Sequence, residues 1–172
     1  MPTIDQLLAE LEHEAATTRR VLERIPEGRL DWRPHPKSMS LGQLGLHIAT
    51  LPGFVAAMSR QSPFQVPEFT QPAPTTAGEL VPMLDASIAE ARRVLSGLTE
   101  TDLAETWKLV KGEHEIFAVP VGMLLRNLML NHWYHHRGQL SVYLRELEVP
   151  VPSIYGPSAD ENPFASAMAA GG

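Results

Sequence analysis

The sequence predicts an all-α protein, a four-helix bundle with a long crossover and a small β-hairpin insert before the last helix. Three observations carry this. Four stretches repeat apolar residues at three- and four-residue intervals with charged residues between them, as helices buried on one face do. A run with four prolines, Gln61 to Thr75, separates the second stretch from the third and makes a long connection. An alternating stretch around Lys111–Gly112 suits two short strands, which are marginal alone and must rest on the helices.

The first helix is expected from Ile4 to about Ile25. Its inner positions are Leu7, Leu8, Leu11, Ala15, Thr18, Leu22 and Ile25, Thr3 and Gln6 form a capping box, and Pro26 and Gly28 stop it. LDWRPHPKSM is loop. Ser40 with Gln43 opens a second helix through about Met58, whose stripe is Leu44, His47, Leu51, Phe54 and Met58. Pro52 within it cannot donate a backbone hydrogen bond, which predicts a kink after His47 or two short helices in series. Thr76 with Glu79 opens a third helix carrying Leu80, Met83, Leu84, Ile88, Ala91, Val94, Leu95 and Leu98 inward. The fourth starts at Pro120 or just after and extends to about Leu147. Residues 1–160 read as a single domain and 161–172 as a frayed tail.

At 172 residues and 44% hydrophobic, the chain is long and apolar enough for one full core. A formal charge of -6 without a basic patch argues against nucleic-acid binding. With no cysteine, disulfides, thiolate ligands and a cysteine nucleophile are all excluded, so any metal must be held by nitrogen and oxygen. No continuous apolar run reaches the roughly 18 residues of a membrane span, and MPTIDQLLAE lacks the regions of a secretory signal. The expectation is a cytoplasmic protein without a membrane partner.

The chemistry concentrates in histidine. His132 and His136 lie one turn apart, about 40° around the axis and about 5–6 Å between Cβ atoms. The period places them on the apolar face with Leu125, Leu128 and Tyr143. His47 sits on the stripe of the second helix. Spacing alone admits paired structural or surface histidines, acid–base groups or metal ligands. A third histidine on a second stripe favours ligation, since one ion partners three buried rings that would otherwise each need a hydrogen bond. Three imidazole nitrogens would leave coordination positions open, as in catalytic zinc sites.

Other residues carry less. His135 points away from the pair and would contact an outer group, line a pocket mouth, meet a subunit, face water or add a ligand. His13, His35 and His114 read as surface or loop histidines, and Trp133 and Tyr134 as packing groups. Asp31, Glu68 and Asp160 are loop carboxylates that could add a ligand or base, or simply be solvated. Glu113 and Glu115 share one face of the hairpin. Ser153 and Ser158 have no triad, no phosphate-binding or dinucleotide fingerprint occurs, and no residue emerges as a general base.

DWRPHPKSMSLGQLGLHI and NHWYHHRGQLSVYLRELEVPVPSIYGP, in that order, resemble the DinB family, from the first helix through Gly156. The resemblance implies an up-up-down-down four-helix bundle with a long crossover, a homodimer, and metal ligands at His47, His132 and His136. It implies a divalent ion, nickel or zinc first and manganese or iron next. Some relatives are transferases or isomerases using mycothiol, bacillithiol or glutathione. The helix-two segment ATLPGFVAAM is nearly uncharged where many relatives carry an acidic or aromatic-rich pocket segment, so it offers no carboxylate for acid-assisted hydrolysis.

The leading expectation is therefore a metal-dependent enzyme, a thiol-dependent S-transferase or isomerase acting on a small electrophilic molecule with a low-molecular-weight thiol cosubstrate. A metal-dependent hydrolase using activated water and a non-catalytic metal-binding or stress-response protein are the alternatives.

Overall fold

The computed structural model describes residues 2–68 and 70–165, a mostly helical fold with a small three-stranded sheet. Helix α1 (Ile4–Leu22) starts at the Thr3–Gln6 capping box. It stops one turn earlier than its periodicity suggests, and a 3-10 turn over Glu27–Arg29 follows Pro26. Helix α2 (Leu41–Met58) starts at the Ser40–Gln43 box. The Thr76–Glu79 box opens a 3-10 turn, Ala77–Glu79, that leads directly into α3 (Leu80–Ser96). A short helix α4 (Glu100–Ala104), capped by Thr99 and Asp102, was not legible from periodicity.

The expected hairpin is present as β2 (Thr106–Lys111) and β3 (His114–Pro120), turning through Gly112 at φ +61, a left-handed conformation that glycine adopts without strain. It gains a third strand that the sequence did not announce: β1 (Phe64–Gln65) in the proline-rich connection pairs parallel to β2. The sheet rests on the helices as marginal strands must. Trp107 is buried, donates its indole N–H to the Met58 carbonyl at 3.2 Å, and packs against Phe64 and Phe117.

The last helical stretch departs from a uniform helix. It runs as α5 (Val121–Leu124), a π-helical segment (Leu125–Asn131) and α6 (His132–Glu146). The wider i→i+5 turn shifts the phase ahead of His132, so the expected alignment of Leu125 with His132 does not hold. The fully buried line is instead Leu125, Met129, Leu130, Trp133, Arg137, Leu140 and Leu144. His132 sits on its shoulder, half-buried, with Leu128 and Tyr143. Packing joins α2 to α3, α3 to α1, α1 to α6 and α6 to α2, around one apolar core.

Pro52 does not split α2, which is continuous from Leu41 to Met58. Both backbone groups disturbed by the proline find partners on neighbouring helices. The Ile48 carbonyl, which residue 52 would normally bond, accepts Trp133 Nε1–H at 2.9 Å, and Gly53 N–H donates to Ser87 Oγ at 2.8 Å. A Cβ at Gly53 would lie 2.8 Å from the Ser87 carbonyl oxygen, so only glycine permits this approach of α2 to α3. By length and composition α2 also meets the criterion for a membrane span, with mean hydropathy 1.3, although Gln43, His47 and Thr50 interrupt its apolar run. Its apolar character is accounted for by burial, since 67% of the window lies inside the fold.

After α6 the chain crosses back over α1. Glu161 pairs with Arg20 and accepts the Ser153 N–H at 2.7 Å, and Asp160 pairs with Arg145. Of the tail expected over 161–172, residues 166–172 lie outside the described residues.

Candidate metal centre

His47 lies near the middle of α2, His132 opens α6, and His136 follows one turn later. Two contacts align the helices. Tyr143 Oη donates to the Met39 carbonyl at 3.2 Å just before α2, and Trp133 bonds Ile48 at its middle, so α2 and α6 run antiparallel with the histidines facing. Trp133 and Ile48 are each the next residue along from a histidine of the group, so the indole bond brings the two histidine-bearing segments together.

The three rings form one cluster. Centroids lie 5.4 Å apart for His47–His132, 4.6 Å for His47–His136 and 4.4 Å for His132–His136. One donor atom from each ring falls within 4.8 Å of the others, a group that could hold a metal ion. His136 is buried and the other two are half-buried, so the cluster opens on one side.

Hydrogen bonding fixes much of the protonation. His136 Nδ1 lies 2.7 Å from Gln139 Oε1, which can only accept, so Nδ1 carries the proton and Nε2 keeps a lone pair. That Nε2 sits 2.6 Å from His132 Nε2, and a proton between them would leave His132 Nδ1 bare. His132 Nδ1 is buried with no partner among the described residues. Burial, then repulsion from neighbouring imidazoles, lowers the pKa of all three rings. His136 falls to about 4, with the Gln139 bond opposing part of the drop. The rings are therefore neutral near pH 7, the state that ligates.

This donor set fits a divalent ion. Three neutral nitrogens suit zinc or nickel better than the hard, oxygen-seeking magnesium or calcium. A buried ring nitrogen left without a partner, His132 Nδ1, is costly for a purely structural cluster.

Gln139 was missed as a site residue, although it follows His136 by three residues, the spacing of neighbours on a helix. No carboxylate joins the group among the described residues. Asp160 is taken up by Arg145 and the Val151 N–H, while Asp31 and Glu68 are exposed. Glu115 pairs with Lys108 across the hairpin, and Glu113 is exposed beside its turn. His135 is exposed, its ring 5.2 Å from that of His136, at the rim of the cluster. His13, His35 and His114 are exposed. Phe54, expected on the inner stripe, is 54% exposed, two turns from His47 on the same helix face.

A family model described as the DinB family matches residues 1–163. The YrdA protein of Bacillus subtilis (strain 168), itself described as uncharacterised, is 28% identical over 160 residues, covering 92% of each chain. Among solved structures, a DinB-like protein from Bacillus cereus superposes with a TM-score of 0.72 at 24% identity, over 89% of this chain and 98% of that one. The DinB-like protein YjoA of Bacillus subtilis gives 0.65 at 22% identity, over 87% and 96%.

Proposed function

The chain belongs to the DinB family, and from that premise we propose that it is a metal-dependent enzyme transferring or isomerising a small electrophilic molecule with a low-molecular-weight thiol. The observation that carries this is the convergence of His47, His132 and His136, all neutral, at the open side of a cluster with no carboxylate among the described residues. A divalent ion held there would stabilise the anionic form of a bound thiol and so raise its nucleophilicity near pH 7.

The residues of the chain supply the rest. His47 contributes one wall, and His132 with His136 the other. Gln139 holds His136 in the tautomer whose Nε2 lone pair faces the centre. Exposed Thr50 and Phe54 continue the face of His47 beside the opening and would meet an arriving substrate. The lack of a carboxylate in the cluster favours an external thiol over water, which would need a base to take its proton. In this reading the helices form an up-up-down-down four-helix bundle, and the protein is a homodimer.

The test is turnover. Protein reconstituted with nickel or zinc is offered mycothiol, bacillithiol or glutathione with a chromogenic electrophile. Thiol consumption that requires metal and disappears in His132→Ala is the expected result. Metal bound without consumption of any of the three thiols would contradict the transferase reading and favour a non-catalytic metal protein.

A further inference from the structure

Arg137 follows His136 directly but faces a different wall. Its side chain is 1% exposed and meets the carboxylate of Glu14 on α1, itself 5% exposed, at 2.6 Å. Nη1 also donates to Thr18 Oγ1 at 3.1 Å and to the Glu14 carbonyl at 3.3 Å, and Nη2 donates to Tyr155 Oη at 2.6 Å. The Tyr155 hydroxyl in turn donates to Glu14 Oε2 at 3.0 Å, closing a ring of hydrogen bonds. The Tyr134 and Tyr155 rings lie 5.2 and 5.1 Å from the guanidinium carbon.

A buried ion pair is a poor source of net stability, because desolvation offsets its attraction and apolar residues of similar volume often serve as well. What this one supplies is direction. A planar guanidinium bonded to a carboxylate, a hydroxyl, a phenol and a carbonyl can satisfy all four at one rotation of α6. Rotating a helix by about 10° moves a side-chain tip at a radius of about 6 Å by roughly 1 Å. Metal–ligand distances tolerate only about 0.2 Å. Trp133 pins α6 to α2 through the Ile48 carbonyl, and Arg137 pins it to α1. Two anchors on different walls define the rotation that aims His132 and His136.

We propose that Arg137, clamped by Glu14, Thr18 and Tyr155, is a positioning residue for the metal centre. Through Tyr155 the segment after α6 takes part in building the site. The proposal rests on the reading of the three histidines as ligands.

Two variants test it. Glu14→Leu/Arg137→Met removes both charges together, and Tyr155→Phe removes one hydroxyl from a side chain that is 67% exposed. Each is titrated with zinc against a chromophoric chelator and with cobalt(II) followed by its visible spectrum, beside thermal unfolding without metal. The paired variant is expected to unfold near the wild-type midpoint while its zinc affinity falls about 10–100-fold and its cobalt bands change shape. Tyr155→Phe is expected to lose several-fold in affinity. Wild-type affinity and an unchanged cobalt spectrum in the paired variant would overturn the proposal. Should that variant fail to fold, Tyr155→Phe decides by the same two readouts. A wild-type protein that binds neither metal would overturn the ligand reading and this proposal with it, whereas equal binding by wild type and variants overturns this proposal alone.

Discussion

The indole Nε1–H of Trp133 donates to the Ile48 carbonyl at 2.9 Å, and the carbonyl is free to accept because Pro52, four residues on, has no N–H to offer it. Ile48 adjoins His47 and Trp133 adjoins His132. The proline that interrupts the hydrogen bonding of one helix thus creates the acceptor that docks the other, at the level of the histidine cluster. An interrupted helix is ordinarily a cost of about 3 kcal/mol. Here tertiary partners take up the disturbed groups, and the helix stays whole.

Trp133→Phe should leave the Ile48 carbonyl buried without a donor, costing about 1–3 kcal/mol beyond the lost packing. For a chain of this size that alone would lower the melting temperature by roughly 2–12 °C. In a Pro52→Ala background the restored N–H of residue 52 satisfies that carbonyl, so the same substitution should cost about 1 kcal/mol less. Urea unfolding of the four proteins of this cycle measures the coupling. Identical costs in both backgrounds would disprove the link between the proline and the indole.

Gln139→Leu keeps the volume of the side chain but removes the acceptor that fixes the His136 tautomer. Zinc affinity should drop about 10–100-fold. Because Gln139 is exposed, the unfolding midpoint of the metal-free protein should change little. Competition with a chelator reads the first quantity and calorimetry the second. An unaltered affinity would remove Gln139 from the site.

The metal-free protein should lose stability on mild acidification. The folded His136 has a pKa of about 4 against an ordinary 6.5. Between those values the unfolded chain binds a proton that the folded one refuses. Stability present above pH 6.5 is therefore lost as pH falls toward 4, at up to about 1.4 kcal/mol per pH unit from this ring. Urea midpoints at pH 7, 6 and 5 should decline more steeply for wild type than for His136→Leu. Parallel declines would show that the ring titrates normally.

Much of this was legible in the sequence because it depends on local chemistry. Thr3–Gln6 and Ser40–Gln43 set helix starts where the capping boxes lie, and the alternation around Gly112 gives the hairpin. His47, His132 and His136 could be grouped because two helix periods and a family resemblance agreed. The π-helical segment was not legible. Its residues, LRNLMLN, satisfy an α-helical period equally well, and no local pattern marks the wider turn, in which Met129 and Leu130 are both fully buried. The β1 strand and the Arg137–Glu14 pair likewise depend on residues distant in sequence, whose meeting no local pattern records.

Metal binding should also stabilise the fold. Free zinc at about 100 times its Kd would add about 2.7 kcal/mol, raising the melting temperature by roughly 5–10 °C. His47→Ala, His132→Ala and His136→Ala should each abolish most of that rise. A rise of equal size in all three variants would place the ion elsewhere.

X-ray absorption at the zinc or nickel edge of tag-free, reconstituted protein tests the three-histidine centre most directly. One ion per chain is expected, with three imidazole nitrogens at about 2.0–2.1 Å and one imidazole fewer in His132→Ala. A spectrum without imidazole scattering, or one that His132→Ala leaves unchanged, would contradict it.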